Sequence, residues 1–289
     1  MTTIEKSPLA DYHYRFESTQ ELVRYIASTP SRFRKDEGME TRYDAWAGTN
    51  TYQQALDLLN NGWAYGREKL VSAKANAAPL SIMVPSHAYD VAGAYPIVPL
   101  ACAGEPMNMW APTEEERKTK PTIKVGINIA ASAAYKPQDI INYGAAILSY
   151  VEALESGDHM RVEIWVINSV VTMERDKTYL LEVKAKALEE HLDIDRLAFM
   201  LTNPAMLRRF VFAHKARATE YPTNALEVTY GRPNALKPRE DMLTLSGINT
   251  FAEPKDRILK SPHLIVKALG PMLDAQLSGL GHTPPDIVW

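Results

Sequence analysis

The sequence predicts an α/β fold built on a mixed sheet, and three stretches carry that reading. TIKVGINIAAS (Thr122–Ser132) is rich in β-branched residues and nearly uncharged, as a buried strand is. QDIINYGAAILSYVEALESG (138–157) has the length and apolar content of a helix, with Gly157 as its stop. MRVEIWVINSVVTM (160–173) returns to strand composition. Strand, crossover helix and strand in that order mark a parallel pair in an α/β sheet. TYLLEVKAKAL (178–188) reads as a further strand or as the start of a helix.

The other elements follow along the chain. Residues 1–17 read as an extended arm. In STQELVRYIAS, Ser18 and Glu21 form a capping box, and Leu22, Val23, Tyr25 and Ile26 supply an apolar face. Pro30 and Gly38 break that helix. Thr49 or Asn50 can cap a second one from Thr51 to about Asn60, with Gly62 as a left-handed stop. Tyr52, Ala55, Leu56 and Leu59 share one face, and Trp63 falls in phase with them, which favours the core. Residues 79–121 hold seven prolines and no long helix, with EEERKTKP as a solvated loop. Helices are expected from Asp193 and from Asn203-Pro204, the latter pairing a cap with proline at the first helical position. Irregular Pro-rich chain follows through 222–262, then a C-terminal helix around HLIVKALGPMLDAQL and an extended tail at about 282–289. The whole, 1–289, reads as one domain.

Composition narrows the function. With 289 residues, 46% hydrophobic and 23% charged, the chain is globular. A net charge of −3 gives no global attraction to nucleic acid, so such a function would rest on local patches. The single cysteine, Cys102, excludes an intrachain disulfide and a cysteine-cluster metal site, which fits a reducing, cytoplasmic setting. The first residues lack the apolar run of a signal peptide, and no stretch approaches the roughly 18 apolar residues of a membrane span.

Phosphate-binding and dinucleotide-binding glycine motifs, paired metal-ligating histidines and a nucleophile with its base are all missing from the sequence. The acids of EEHLDID around His191 read as the acidic first turn of the following helix. No cofactor, no metal and no catalytic residue is therefore expected. The strand TIKVGINIAAS with its helix resembles the first strand and helix of the von Willebrand A domain, which carries a metal-binding DxSxS motif there. The matching positions are Asn128, Ala130 and Ser132. Without the leading carboxylate, a divalent cation loses its main hard-oxygen ligand. That resemblance implies a protein-interaction module lacking the metal.

Cations interleaved with aromatics suggest a second reading. From Arg196 to Thr219 there are five cations and no acid, with Arg208, Arg209, Lys215 and Arg217 beside Phe210, Phe212 and His214. Val228 to Arg239 adds Tyr230, Arg232 and Lys237, again without an acid. Before and after the second helix stand Tyr43 and Trp46, then Tyr65, Arg67 and Lys69, whose alternation puts them on one side of an extended segment. These residues can form a single-strand binding track or ordinary surface packing.

WAGTNTYQQALDLLNNGWAYGREKL, YDVAGAYPIVPLACAGEPMNMW and TIKVGINIAAS resemble, over about residues 16–190, the Drc-type single-stranded-DNA-binding proteins of N4-like bacteriophages. That resemblance implies a non-enzymatic, largely sequence-independent coat for single-stranded DNA. It would act as a homo-oligomer, a tetramer, in the cytoplasm of an infected bacterium. Its partner would be a phage RNA polymerase, with a further role in DNA replication. In the tail HTPPDIVW, Asp286, Ile287 and Trp289 make a short acidic-apolar tip that either recruits a partner enzyme or folds back into a pocket.

Overall fold

The computed structural model describes residues 3–4, 9–33, 36, 38–41, 47–75, 88–93, 95–111, 121–132, 135–155, 160–172, 177–219, 232–248 and 258–282. Tyr43, Trp46, Gly157, Tyr230, most of EEERKTKP, and Asp286, Ile287 and Trp289 lie outside the described residues.

The chain is mixed α/β. Its main sheet uses β1 (Thr3–Ile4), β2 (Tyr12–Phe16), β6 (Thr122–Asn128), β7 (Arg161–Val171), β8 (Thr178–Lys186), β9 (Arg232–Pro233) and β10 (Leu243–Leu245). The order is β1-β2-β8-β7-β6-β10. β6 and β7 run parallel with Val125 opposite Ile164, and α5 (Pro137–Glu155) makes the crossover between them, as expected. β8 turns back antiparallel on β7, and β10 adds in parallel on the free side of β6. Where β7 outlasts β6, β9 pairs with Val170 and Val171.

Residues 12–16 correct the expectation of an N-terminal arm. They form β2, which pairs in parallel with β8. The alternation explains it: Tyr14 and Phe16 are buried on one face while His13 and Arg15 point to the other, the period-two pattern of a two-sided strand. The Tyr14/Phe16 face belongs to the large core with Val125, Ile127, Val166, Leu181 and Val183.

That face is covered by helices: α1 (Thr19–Ser28), α5, α6 (Ile194–Thr202), a π-helical turn at Met206–Val211, and α7 (Phe212–Lys215). The caps are those the residue types dictate. Ser18 Oγ accepts from Glu21 N at 3.1 Å, and Glu21 Oε2 accepts from Glu17 N at 2.9 Å. Asp193 caps α6 by accepting from Arg196 N at 3.0 Å. For α2 (Tyr52–Asn61) the cap is Thr51, one or two residues later than expected, and Gly62 ends it at φ 83°. Trp63 packs against the core. The C-terminal helix α8 (Pro262–Gly279) encloses Pro271.

Two elements escaped the sequence reading. Residues Ala64–Ala75 form a helix, α3, where an extended segment was expected. Leu70 and Ala73 are buried, and Leu70 reaches toward Gly144 of α5, so tertiary packing decides the local conformation. Within the Pro-rich stretch, β3 (Ala88–Asp90), β4 (Tyr95–Pro96) and β5 (Met109–Ala111) make a small antiparallel sheet, with the short helix α4 (Val98–Cys102) between its strands.

On the opposite face of the main sheet, Trp165, Ile167 and Leu180 pack with Leu236 and Met242 of the segment that crosses it. The guanidinium carbon of Arg15 lies 3.9 Å from the centre of the Trp165 ring. Beside them, Glu182 is fully buried, with His13 Nε2 at 3.3 Å and a charge-assisted bond from Arg239. Burial by itself would raise the Glu182 carboxyl, but His13 and Arg239 outweigh it and hold the group below its ordinary value.

The approach of α5 to α6 depends on Gly144, where a Cβ would stand 2.2 Å from Thr202 Cγ2. Gly144→Val should cost roughly 1–3 kcal/mol by overpacking, measured by urea unfolding. Thr202→Ser, which removes the clashing methyl and keeps the hydroxyl, should recover part of that loss in the double variant. Equal loss with and without Thr202→Ser would contradict this packing.

Candidate functional site

The structure turns most of the expected cationic track inward. Arg209 and Lys215 have no exposed surface, and Arg217 is 7% exposed. The Arg209 guanidinium donates to the carbonyls of Gly38 (3.5 Å), Glu40, Thr49 (2.5 Å) and Asn50 (3.0 Å). Arg217 donates to Asp36 Oδ2 at 2.5 Å, Ile26 O at 2.8 Å and Ala213 O at 2.9 Å. Arg209 and Arg217 are therefore corrected from phosphate contacts to internal braces, and Lys215 from a phosphate contact to a buried side chain. A buried cation needs partners; for the two arginines these are backbone carbonyls of residues 26–50, the Asp36 carboxylate and Ala213 O.

Lys215 and His214 sit in an aromatic shell. His214 Nδ1 pairs with the Tyr179 hydroxyl at 2.7 Å, and the Tyr14 ring lies 4.7 Å away. The Lys215 ammonium is 4.7 Å from the Tyr179 ring centre. Burial, helped by the charges of Lys215 and Arg217, pushes the His214 imidazole down to about 3. Burial alone pushes Lys215 down to about 7.

The remaining expected residues are scattered. Arg208 is half-buried, with its guanidinium carbon 5.8 Å from the Phe212 ring. Arg232 is exposed on β9. On α3, Lys69 lies over the Tyr65 ring at 5.2 Å, whereas Arg67 turns to Asp195 at 3.2 Å. A helix places positions 65 and 69 together and 67 elsewhere, which corrects the one-sided row expected of an extended segment.

What the fold does build is a crevice beyond the carboxyl end of β6. The chain leaves β6 toward α5 and β7 on one side, while β10 lies on the other. A cavity of about 260 Å³ lies against the β6–α5 loop and the junction of α6 with the π-helical turn. Ile129, Ile140, Met200 and Leu207 line it, with Ser132, Asn203 and Arg208 as polar members. α6 ends at Thr202 with Asn203 as its C-cap, and a second helical segment opens at Pro204, as the sequence reading expected, with Asn203 Oδ1 accepting from Ala205 N at 2.9 Å. Its wider π turn brings Leu207 and Arg208 to the cavity, and such turns recur at functional sites.

Asn128 closes the floor of this end of the sheet. Its Nδ2 donates to Asn234 O at 2.8 Å and Ser246 O at 3.2 Å, while Oδ1 accepts from Ala130 N at 3.0 Å and Ser169 N at 3.2 Å. The amide is used on both sides, tying β6 to β7 and to the chain on either side of β10. A carboxylate here would face two carbonyl oxygens, and both oxygens of such a group would be needed by a cation. Among the described residues no cluster of three His, Cys, Asp or Glu could hold a metal ion, and no helix is long and apolar enough to cross a membrane.

Sequence reasoning singled out Asn128 only as a missing metal ligand, since three of its four partners, Ser169, Asn234 and Ser246, are distant along the chain. The meeting of His13 with Glu182 went unnoticed because the strand β2 that carries His13 read as an arm, and Arg239, read as the end of a cationic run, pairs with Glu182 and Asp241 instead.

Two stability measurements follow. Arg209→Ala strands four carbonyl partners and should cost about 3–5 kcal/mol by urea unfolding, and an unchanged midpoint would contradict the internal bonds. The unfolded chain protonates the His214 imidazole near its ordinary 6.5 and the folded chain only near 3, so stability should fall as pH drops through that window. For Lys215 the unfolded chain holds the proton up to 10.5 and the folded chain to about 7, so stability should rise with pH across that range. His214→Leu should flatten the acid limb and Lys215→Met the alkaline one. Limbs unchanged by these substitutions would show that both side chains reach water.

Neither a curated protein nor a solved structure matches the chain. One family model does, over residues 2–269. The chain belongs to the family described as a domain of unknown function, DUF7192.

Proposed function

We propose that this chain is a non-enzymatic binding module, a metal-free relative of the von Willebrand A arrangement, with its ligand site in the crevice beyond β6. The observation that carries the reading is the apolar cavity just beyond β6, lined by Ile129, Ile140, Met200 and Leu207. At the end of β6, where the metal-binding motif would place a carboxylate, the Asn128 amide is held by four bonds instead. At about 260 Å³ the cavity is smaller than the roughly 300–1,000 Å³ of small-molecule sites, and suits one or two side chains of a protein segment. Its apolar lining would take a Leu, Ile or Met, and Arg208 would take a neighbouring carboxylate.

Single-stranded DNA, with a phage RNA polymerase as partner, is the second reading. It rests on the resemblance to Drc-type proteins and on the exposed Tyr65–Lys69 pair of α3. The inward turn of Arg209, Lys215 and Arg217 removes its strongest sequence support.

Selection from a synthetic peptide library tests the first reading, with fluorescent oligothymidine run in parallel. Peptides with an acid within two residues of Leu, Ile or Met should be enriched, with affinities on the order of micromolar. Arg208→Glu should weaken them about tenfold or more, the effect of roughly 1.4 kcal/mol. Enrichment of no peptide, or affinities indifferent to Arg208→Glu, would overturn the reading. Salt-sensitive binding of oligothymidine without peptide binding would favour DNA instead.

A further inference from the structure

A second cavity, of about 610 Å³, lies on the face of the main sheet that carries Trp165, between the pair Ser169–Leu180 and the strap of residues 234–239. It shares no lining residue with the crevice beyond β6 among the described residues, and its volume is within the roughly 300–1,000 Å³ of small-molecule sites. The strap is pinned by its backbone. Asn234 N donates to Ser169 O at 3.0 Å, Asn234 O accepts from Asn128 Nδ2 at 2.8 Å, and Leu236 O accepts from Ser246 Oγ at 2.9 Å. With the strap fixed at these points, the cavity is pre-formed.

Three polar groups of its lining have no use within the described protein. Ser169 follows Ile167 by two on β7 and so shares the cavity face; it is only 5% exposed, yet its hydroxyl makes no hydrogen bond to a described residue. A polar group so sheltered calls for a partner. The Asn234 side-chain amide and the Lys237 ammonium are likewise unpaired among the described residues. The other lining charges are spent. Thr178 N and Oγ1 donate to Asp11 Oδ2 at 2.8 and 3.0 Å and, with Lys177 nearby, hold that carboxyl below its ordinary value. Arg239 turns its guanidinium to Glu182 and Asp241. Leu180, Leu236 and Pro238 make the walls aliphatic, and no aromatic ring lines the cavity among the described residues.

We propose that this cavity binds an aliphatic hydroxy acid, with the carboxylate on Lys237, the hydroxyl on Ser169 and Asn234, and the carbon chain on Leu180 and Leu236. Charge and shape select that class. The one unspent cation matches a singly charged carboxylate, whereas a phosphate would bring further negative charge beside Asp11. A nucleobase or other aromatic ring would find no ring to stack on. Ser169 and Asn234 can each both donate and accept, as a ligand hydroxyl does.

Calorimetric titration of the full chain with decanoate, β-hydroxydecanoate and decylamine tests the site. The hydroxy acid should bind with a Kd on the order of 10–100 μM. Decanoate should bind about threefold or more weakly, for want of the hydroxyl's hydrogen bonds, and decylamine not at all. Lys237→Met keeps the aliphatic stem and should weaken both acids about fivefold, the effect of one ion pair near the surface. Ser169→Ala should remove the preference for the hydroxy acid and leave decanoate unchanged. Arg208→Glu, in the crevice beyond β6, should leave every titration as it was. No binding of either acid, binding of decylamine as tight as that of the acids, or affinities unmoved by Lys237→Met would each overturn the proposal. So would equal affinity for the two acids, a hydroxyl preference that survives Ser169→Ala, or loss of binding through Arg208→Glu.

Discussion

The guanidinium of Arg209 lies inside the protein with four backbone carbonyls around it, and much of the N-terminal third is arranged to make that possible. A desolvated cation is tolerated only where dipoles or carboxylates replace its water. Glu40, Thr49 and Asn50 turn their carbonyls inward to do so. Gly38 allows the approach, since a Cβ there would stand 2.6 Å from Ala213 N. Gly48, at φ 75°, lets the same segment pass Asn203 at the edge of the crevice. Arg217 repeats the device on Ile26 and Asp36. The helical layer, the loop before α2 and the wall of the crevice thus share one set of internal bonds.

This reassigns the meaning of an acid-free, cation-rich segment. In sequence, five cations among aromatics between Arg196 and Thr219 look like a track for phosphates. In the fold, the aromatics Phe210 and Phe212 set the helix deep in the core, and the cations on the same helix must follow. The absence of acids nearby in sequence is then no sign of an anionic ligand. Apart from Ala213 O beside Arg217, the partners are backbone carbonyls and Asp36 more than 150 residues away along the chain.

The fold was legible wherever local pattern and tertiary packing agreed. β6, α5 and β7 stand where composition put them, and the caps at Ser18, Asp193 and Gly62 work as their residue types require. What failed was decided by distant contacts. β2 is a strand because β8 pairs with it, and residues 64–75 are helical because Leu70 and Ala73 are buried under α5 and α6. The candidate site was half legible. Asn128 stood out as a departure from a metal motif, but its bonds to Asn234 and Ser246 span more than 100 residues and have no local signature.

The inward use of these arginines is tested most directly by their reactivity in the folded protein. Treatment with an arginine-specific dicarbonyl, followed by mass-spectrometric mapping over time, separates buried from exposed guanidiniums. Arg232 should react quickly and Arg208 at an intermediate rate, while Arg209 and Arg217 remain unmodified until denaturant unfolds the chain. Modification of Arg209 and Arg217 at the rate of Arg232, in a chain that keeps its native circular dichroism spectrum, would contradict the account.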